Sequence, residues 1–405
     1  MANATRHTWR RVRSAVACCF PPARLRFNRR ELSGAFGDLG TDLPLLVGMI
    51  LAAGMDAGWV FLLFGSLQIA AGLIYGIPMP VQPLKAVAAL VIAQQLGGPL
   101  IAGGALAIAV IMAVLTLTKA VDGLARLIPR AVIRGIQFGL GAKLGLLALG
   151  KYVQSDGAAG YVLAAVAFVL VLALTGGRRF PPAVVVLLIG LGYAAAFDVD
   201  WGSVHLAPAL TLPAPGLPAR HDIWLGLVLL ALPQVPLSLG NSMLATKQLA
   251  DDWFPERRVT LRRIGATYSL FNLLMAFFGG VPVCHGAGGM AGHYAFGGRT
   301  GGSVVIYGAF HIALGVACAV GFSQVVTLFP LPVLGVILLF EALTLVGRLK
   351  DVRADAGDLA IALVVGLVAV GLPYGFLVGM LVGTVLAAGR RLGKLRRTTL
   401  EPVNS

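Results

Sequence analysis

Charged residues are scarce in this chain, at 12% of 405 residues, whereas hydrophobic residues make up 58% and the mean hydropathy is +0.87. A water-soluble protein of this size cannot bury so much apolar surface, so this composition excludes a soluble globular class. A transmembrane helix needs roughly 20 apolar residues, and the longest uncharged runs must therefore hold two helices each. The longest such runs are Ala57–Leu84, Ala86–Thr118, Ile264–Gly298 and Thr300–Phe340. These features predict an all-α polytopic membrane protein.

The sequence also lacks the motifs of ATP-driven transport and of enzymes. No Gly-x-x-x-x-Gly-Lys-Ser/Thr phosphate loop occurs, which disfavours direct coupling to ATP. The only cysteines are Cys18, Cys19, Cys284 and Cys318, and their spacing indicates neither a metal site nor a disulfide framework. Cys284 and His285 are adjacent, but no third catalytic group accompanies them. We therefore predict no enzyme activity, no catalytic residues, no metal and no cofactor.

Acidic residues are outnumbered by basic ones, 17 to 32, which gives a net charge of +15. When the apolar runs are divided into about fourteen segments, every basic cluster falls on the side of the N-terminus. This is the positive-inside pattern, and it predicts cytoplasmic N- and C-termini, with the plasma (inner) membrane as the location. Residues 1–30 contain eight arginines and no acid, which favours contact with anionic lipid rather than nucleic acid.

Two halves of seven segments each follow from the same division. The predicted units are a basic cytoplasmic arm (1–30), a first repeat (31–197), an extracellular connector (198–222), a second repeat (223–390) and a basic cytoplasmic tail (391–405). Seven is odd, so the second repeat enters the membrane from the opposite side and is inverted relative to the first. In inverted-repeat carriers the substrate site lies near the bilayer midplane, between interrupted helices of the two halves.

Such interrupted segments occur at matching places in the two halves. They are Gly76-Ile-Pro-Met-Pro-Val-Gln-Pro-Leu-Lys85 and Gly280-Val-Pro-Val-Cys-His-Gly-Ala-Gly-Gly289. Pro78 and Pro282, 204 residues apart, forbid a continuous helix at membrane depth. Upstream of each lies a second matched pair of segments, Asp38-Leu-Gly-Thr41 and Ser238-Leu-Gly-Asn241, 200 residues apart. The pattern predicts two half-helices that meet near the bilayer midplane.

The residues around these breaks fit an oxyanion. Helices that restart just after Pro80 and Cys284 would direct N–H groups and positive dipole ends into the gap. The predicted ligands comprise backbone that approaches closely, side chains that donate hydrogen bonds, and one full positive charge. They are Thr41, Gln82, Lys85, Asn241, His285, Gly286, Gly288 and Gly289.

Ionisable residues inside a membrane segment indicate function. Asp38 lies in the first hydrophobic segment with Asp42 one turn later, and both are candidates for cation or proton coupling. Ser238, the counterpart of Asp38, is neutral. We interpret Glu341 as interfacial or gate-related, and the matched pair Gln68 and Asn272 as residues that bridge helices.

Several of these segments resemble those of the MOT-type molybdate transporters, which belong to the SulP-like anion transporters. The matching segments are Glu31-Leu-Ser-Gly-Ala-Phe-Gly-Asp-Leu-Gly-Thr41, Pro80-Val-Gln-Pro-Leu-Lys-Ala86, Asn241-Ser242, Lys247-Gln-Leu249 and Pro282-Val-Cys-His-Gly-Ala-Gly-Gly-Met-Ala-Gly292. The resemblance implies a seven-plus-seven inverted repeat with core and gate domains, a homodimer, and import of molybdate. Sulfate transporters typically add a C-terminal domain, so the short predicted tail favours the molybdate branch. Asp42 departs from the family, which usually has an uncharged residue there.

Alternatives on the same fold remain open at the level of sequence. A sulfate or general oxyanion transporter, which would also take tungstate, shares the charge and nearly the geometry, and an anion channel differs only in gating. A nucleobase carrier would be expected to place a carboxylate where this chain has Gln234, Ser238 and Asn241. Import of a dianion against a negative interior costs about 4.6 kcal/mol per 100 mV, from ~2.3 per charge, so accumulation requires protons or another coupling cation.

Overall fold

The computed structural model describes residues 25–121, 123, 129–174, 182–198, 215–319 and 329–400. Cys18, Cys19, most of the basic arm and most of the connector lie outside these residues. The described first half forms helices α1 (Arg29–Ala35), α2 (Leu39–Ala53), α3 (Ala57–Tyr75), α4 (Lys85–Gln94), α5 (Gly98–Leu117), α6 (Arg130–Leu147), α7 (Gly157–Leu174) and α8 (Pro182–Tyr193). Short π-helical turns extend α6 through Tyr152 and α8 through Asp198.

The second half is helical as well. It forms α9 (Arg220–Trp253), α10 (Leu261–Phe277), α11 (Ala287–Ala295), α12 (Gly302–Ala319), α13 (Leu331–Val346), α14 (Ala356–Gly371) and α15 (Gly375–Leu400). Helix α9 includes π-helical stretches at Leu227–Ala231 and Ser238–Ala245, on either side of Pro233 and Pro236, which weaken the regular hydrogen-bond ladder. The two strands are β1 (Gln82–Pro83) and β2 (Val283–Cys284). The all-α prediction is confirmed apart from this strand pair.

Membrane-length helices occur in both halves. Among the described residues, eight helices are long and apolar enough to span a membrane, or nine when α1 and α2, which meet at 42°, count as one broken span. Helices α4, α8 and α14 are apolar but shorter. The fourteen-segment count therefore stays a prediction, although the described residues of each half form seven helical segments when α1 and α2 are taken together.

Helix packing separates two bodies. In the core, α3 packs on α12, and α5 packs on α10 and on the first part of α9. In the gate, α6 packs on α13 and α14, α14 packs on α15, and α7 packs on α8 and α13. Helices α3 and α12 lie so close that the Gly308 carbonyl occupies the place of a Cβ on Gly65, which is how small residues bring membrane helices together. This arrangement confirms the core and gate domains.

The first turns of the chain are tied to the second half at the start of α12. The Glu31 carboxylate is buried and accepts hydrogen bonds from the backbone N–H groups of Arg299, Thr300 and Ser303, at 3.1–3.3 Å. A carboxylate at a helix N-terminus satisfies N–H groups that have no partner within the helix. This contact fixes the position of α1, and the bend after α1 places Asp38 in the middle of the core.

Candidate functional site

The two interrupted segments meet in the middle of the core. Strands β1 and β2 pair antiparallel, with Gln82 opposite Cys284 and Pro83 opposite Val283. The Leu84 N–H extends the pairing by donating to the Pro282 carbonyl at 2.9 Å. Since the partners come from opposite halves, each half supplies the backbone hydrogen bonds that the other lacks at membrane depth.

A buried amide side chain holds each extended segment from behind. Gln68 on α3 donates to the Val81 carbonyl at 2.6 Å and accepts from the Val81 N–H at 2.8 Å. Asn272 on α10 makes the same two contacts with Val283, at 2.6 and 2.9 Å. We call these pairs the amide clamps. The sequence analysis paired Gln68 with Asn272 as bridges between helices, and the structure shows that they bind broken backbone instead.

The register between the halves changes at the breaks. The clamp side chains are 204 residues apart, but their partners Val81 and Val283 are 202 apart, as are the helix starts Lys85 and Ala287. The first half therefore has two more residues between the clamp side chain and its valine partner than the second. We expected α4 to restart just after Pro80; it begins at Lys85, because the residues between form β1. Helix α11 begins at Ala287, close to the predicted place.

The start of α4 carries charge. The Lys85 side chain forms an ion pair with Glu341 on the gate helix α13, and both side chains are largely buried, at 21% and 10% exposure. The adjacent Ala86 N–H donates to the Gln234 side-chain oxygen at 3.0 Å. The Gln234 amide in turn donates to the Ser238 hydroxyl at 3.1 Å. One N–H group of this helix start is thus already occupied by the protein.

The start of α11 presents backbone N–H groups rather than a charged side chain. Within the described part of the chain, the N–H groups of Gly288 and Gly289 donate to no protein atom. Gly288 is exposed, and no atom lies within 4 Å of the place where a Cβ would be. Gly289 is enclosed, since a Cβ there would lie 2.7 Å from Pro80 Cγ and 2.9 Å from Gln82 Cδ. Unpaired N–H groups at a helix N-terminus are suited to an anion.

Asp38 and Asp42 lie beside this helix start. Gln82 Nε2 donates to Asp38 Oδ2 at 2.6 Å, and the Tyr307 hydroxyl donates to Asp42 Oδ2 at 3.4 Å. Asp38 is 4% exposed and Asp42 is fully buried. Within the described residues, Asp42 Oδ1 and Gln82 Oε1 have no hydrogen-bond partner. An unpartnered buried polar atom is costly, so a proton or a ligand is expected to reach it.

His285 takes a different position from the one that its sequence context indicated. Its Nδ1 lies 3.4 Å from the Pro80 carbonyl and its Nε2 lies 2.9 Å from the Thr267 hydroxyl, so the protein engages both ring nitrogens. The ring packs against Tyr75 and Phe271, and it is 1% exposed. In this conformation the imidazole has no N–H left for an anion and acts as a spacer between β1, β2 and α10.

The remaining predicted ligands lie on α2, α9 and the N-cap of α11. Thr41 is half-buried on the first turn of α2, and Asn241 is half-buried in the π-helical part of α9. Gly286 is the N-cap of α11 and lies against Gln82, because a Cβ there would overlap the Gln82 side-chain oxygen. Gln82 thus contacts both Gly286 and Gly289, Gly288 faces open space, and Thr41 and Asn241 lie on helices α2 and α9.

Three residues of this region were missed or underrated by sequence reasoning. Glu341 was interpreted as interfacial or gate-related; it lies on the gate helix α13 and contacts Lys85, 256 positions away. Thr267 bonds to His285, and Tyr307 bonds to Asp42. The usable signal for Glu341 was its place at the end of the long uncharged run Thr300–Phe340, since an acid inside an apolar segment is expensive. Thr267 and Tyr307 had no comparable signal.

The chain is similar to molybdate transporters in sequence and to anion transporters in fold. A family model described as "Molybdate transporter of MFS superfamily" matches residues 30–144 and 226–345. Molybdate transporter 1 of Arabidopsis thaliana is 30% identical over 92% of this chain and 91% of its own length. Molybdate transporter 1 of Chlamydomonas reinhardtii is 26% identical over 88% and 91%.

Solved structures share the fold at low identity. The transmembrane domain of the cyanobacterial bicarbonate transporter BicA superposes with a TM-score of 0.63 and 17% identity, over 90% of this chain and 98% of that domain. Murine Slc26a9, an anion transporter, superposes with a TM-score of 0.68 and 14% identity, over 91% and 69%. The fold of this chain is shared with the SLC26-type anion transporters. The sequence matches in both halves show that the chain belongs to the molybdate transporter family.

Proposed function

We propose that this protein imports molybdate by alternating access, with the anion bound between the starts of α4 and α11. The observation that carries the proposal is the pair of unpaired N–H groups at Gly288 and Gly289 in the same gap as the Lys85 ammonium. A tetrahedral dianion satisfies N–H donors and a positive charge together. The relatives named as molybdate transporters support this choice of anion.

The charges at the site support coupling to protons. Asp38, Asp42 and Glu341 place three carboxylates within electrostatic range of a single ammonium, that of Lys85. With all three ionised, the site is negative before a substrate enters, and a dianion is repelled at low local dielectric. Protonation of Asp38 and Asp42 removes this repulsion, and two protons also cancel the charge of molybdate. Uptake is therefore expected to increase as the external pH falls.

The surroundings of the carrier are proposed on the same basis. The basic clusters favour a plasma (inner) membrane location with cytoplasmic N- and C-termini. Transport would then proceed by movement of the core, which holds the strand pair, against the gate, which supplies Glu341. A homodimer follows from the resemblance to the family.

Uptake of labelled molybdate into proteoliposomes tests the function. With an inward proton gradient, we expect saturable accumulation that collapses when a protonophore is added and that persists in excess sulfate. Empty liposomes provide the background, and a reversed gradient controls for leakage. Equal competition by sulfate would make the protein a general oxyanion carrier, which is the second candidate because N–H groups and an ammonium bind either anion. Absence of saturable uptake for both anions would refute transport of oxyanions.

A further inference from the structure

The ion pair between Lys85 and Glu341 is the feature that the proposed binding site leaves unexplained. Lys85 is the first residue of the half-helix α4 in the core, whereas Glu341 lies on α13 in the gate. An ion pair that joins two bodies proposed to move against each other must break or change during transport. Within the described residues, the other ion pairs either join gate elements to each other or lie within one helix, as for Arg134–Asp351 and Lys247–Asp251.

The chemistry of the pair resembles that of the substrate. A carboxylate and an oxyanion both present negative oxygens to an ammonium, and Lys85 cannot bind both at full strength without additional positive charge nearby. In this structure the Glu341 carboxylate forms an ion pair with the Lys85 ammonium, and the carboxylates of Asp38 and Asp42 also interact electrostatically with that ammonium. The ammonium is therefore neutralised by carboxylates of the protein itself.

We propose that Glu341 is a tethered competitor of the transported anion. Its carboxylate neutralises Lys85 when the carrier is empty, and it releases Lys85 when the anion binds. This inference rests on the proposed function, because it assigns Glu341 a role at the same anion site. Two consequences follow. Glu341 lowers the affinity for the anion, and it keeps the buried ammonium of the empty carrier paired at the start of the return of the core, a step that net uptake requires and that exchange of anion for anion does not.

Glu341→Gln separates this role from a purely structural one. If Glu341 competes with the anion, the variant should bind molybdate on the order of tenfold more tightly, as measured by calorimetry on purified protein. In proteoliposomes, its net uptake should fall on the order of tenfold, while exchange of labelled for unlabelled molybdate should stay near the wild-type rate. Asp351→Asn is the matched control, because it removes an ion pair within the gate, between the 3-10 turn Gly347–Asp351 that follows α13 and Arg134 on α6, at 2.6 Å. We expect Asp351→Asn to change neither the affinity nor the ratio of net uptake to exchange.

The opposite results overturn the inference. A structural role for Glu341 predicts weaker molybdate binding and an equal loss of net uptake and exchange. If Glu341→Gln does not fold, Glu341→Asp decides: a shorter carboxylate reaches Lys85 less well, so competition predicts tighter molybdate binding and a structural role predicts weaker binding. Failure of the proposed function is distinguishable, because the wild type itself would then neither bind nor exchange molybdate.

Discussion

The two half-helix starts occupy equivalent places in the two halves, yet they present different chemistry. Both follow a short strand, and both strands are held by an amide clamp. The start of α4 presents a charged side chain, Lys85, and one of its N–H groups is filled by Gln234. The start of α11 presents open backbone at Gly288. The repeat thus places the two helix starts at equivalent positions, and the differences between the halves determine which groups each start presents to the proposed site.

The acids follow the same division. Asp38 and Asp42 both come from the first half, while Ser238, the sequence counterpart of Asp38, bonds to the Tyr268 hydroxyl at 2.7 Å within the second half. The acids of the first half nevertheless lie at the start of α11, since Gln82 and Asp38 pack against Gly289. Charge supplied by one half therefore acts on backbone supplied by the other.

The largest effect on transport is expected when the positive charge at the start of α4 is removed. Lys85→Met removes the only ammonium that faces Asp38, Asp42 and Glu341 among the described residues. Truncation of one partner of a buried charge pair typically costs about 2–5 kcal/mol of binding free energy, so we expect molybdate uptake to fall by about 100-fold or more. Lys247→Met is the control, because Lys247 pairs with Asp251 on the more exposed surface of α9. Wild-type uptake in Lys85→Met would show that the anion binds to backbone alone.

A smaller effect is expected at the glycines of the second half, and it should separate binding from stability. Gly288 faces open space, so Gly288→Val should raise KM for molybdate about tenfold by blocking close approach to the backbone, with little change in Tm. Gly289 is enclosed by Pro80 and Gln82, so Gly289→Ala should lower Tm by several degrees. The measurements are uptake kinetics and thermal unfolding in detergent. An unchanged KM in Gly288→Val would mean that the anion does not bind at the start of α11.

The sequence alone located the breaks, because proline and glycine at membrane depth have few structural explanations. Pro78 and Pro282 fix the two interruptions, and the pairing of Gln68 with Asn272 follows from their equal spacing. The side-chain directions could not be derived in this way. His285 points away from the gap because Thr267 and the Pro80 carbonyl take its ring nitrogens, and both partners are set by tertiary packing.

Contacts between the halves were equally hidden. Whether Glu341 meets Lys85 depends on how the gate packs on the core, which no local pattern encodes. The two additional residues between Gln68 and Val81 could not be predicted from the proline spacing either. Pro78 and Pro282 are 204 positions apart, whereas the helix starts Lys85 and Ala287 are 202 apart. Motif spacing therefore predicted the starts of the two half-helices to within a few residues, but not the register between the halves or the ion pair at Lys85.

The smallest difference is expected at the amide clamps, where the two halves should behave alike. Gln68→Ala and Asn272→Ala each remove two hydrogen bonds to buried backbone, and each should lower the free energy of unfolding by about 1–3 kcal/mol. Ser66→Ala on α3 is a suitable control, because its exposed hydroxyl bonds only within its own helix, to the Leu62 carbonyl. Thermal unfolding in detergent measures the three variants under one condition. Equal losses in free energy of unfolding would mean that the two repeats contribute equally to stability and differ only in the groups they place at the site. A loss confined to one clamp would mean that stability, like charge, is divided unevenly between the halves.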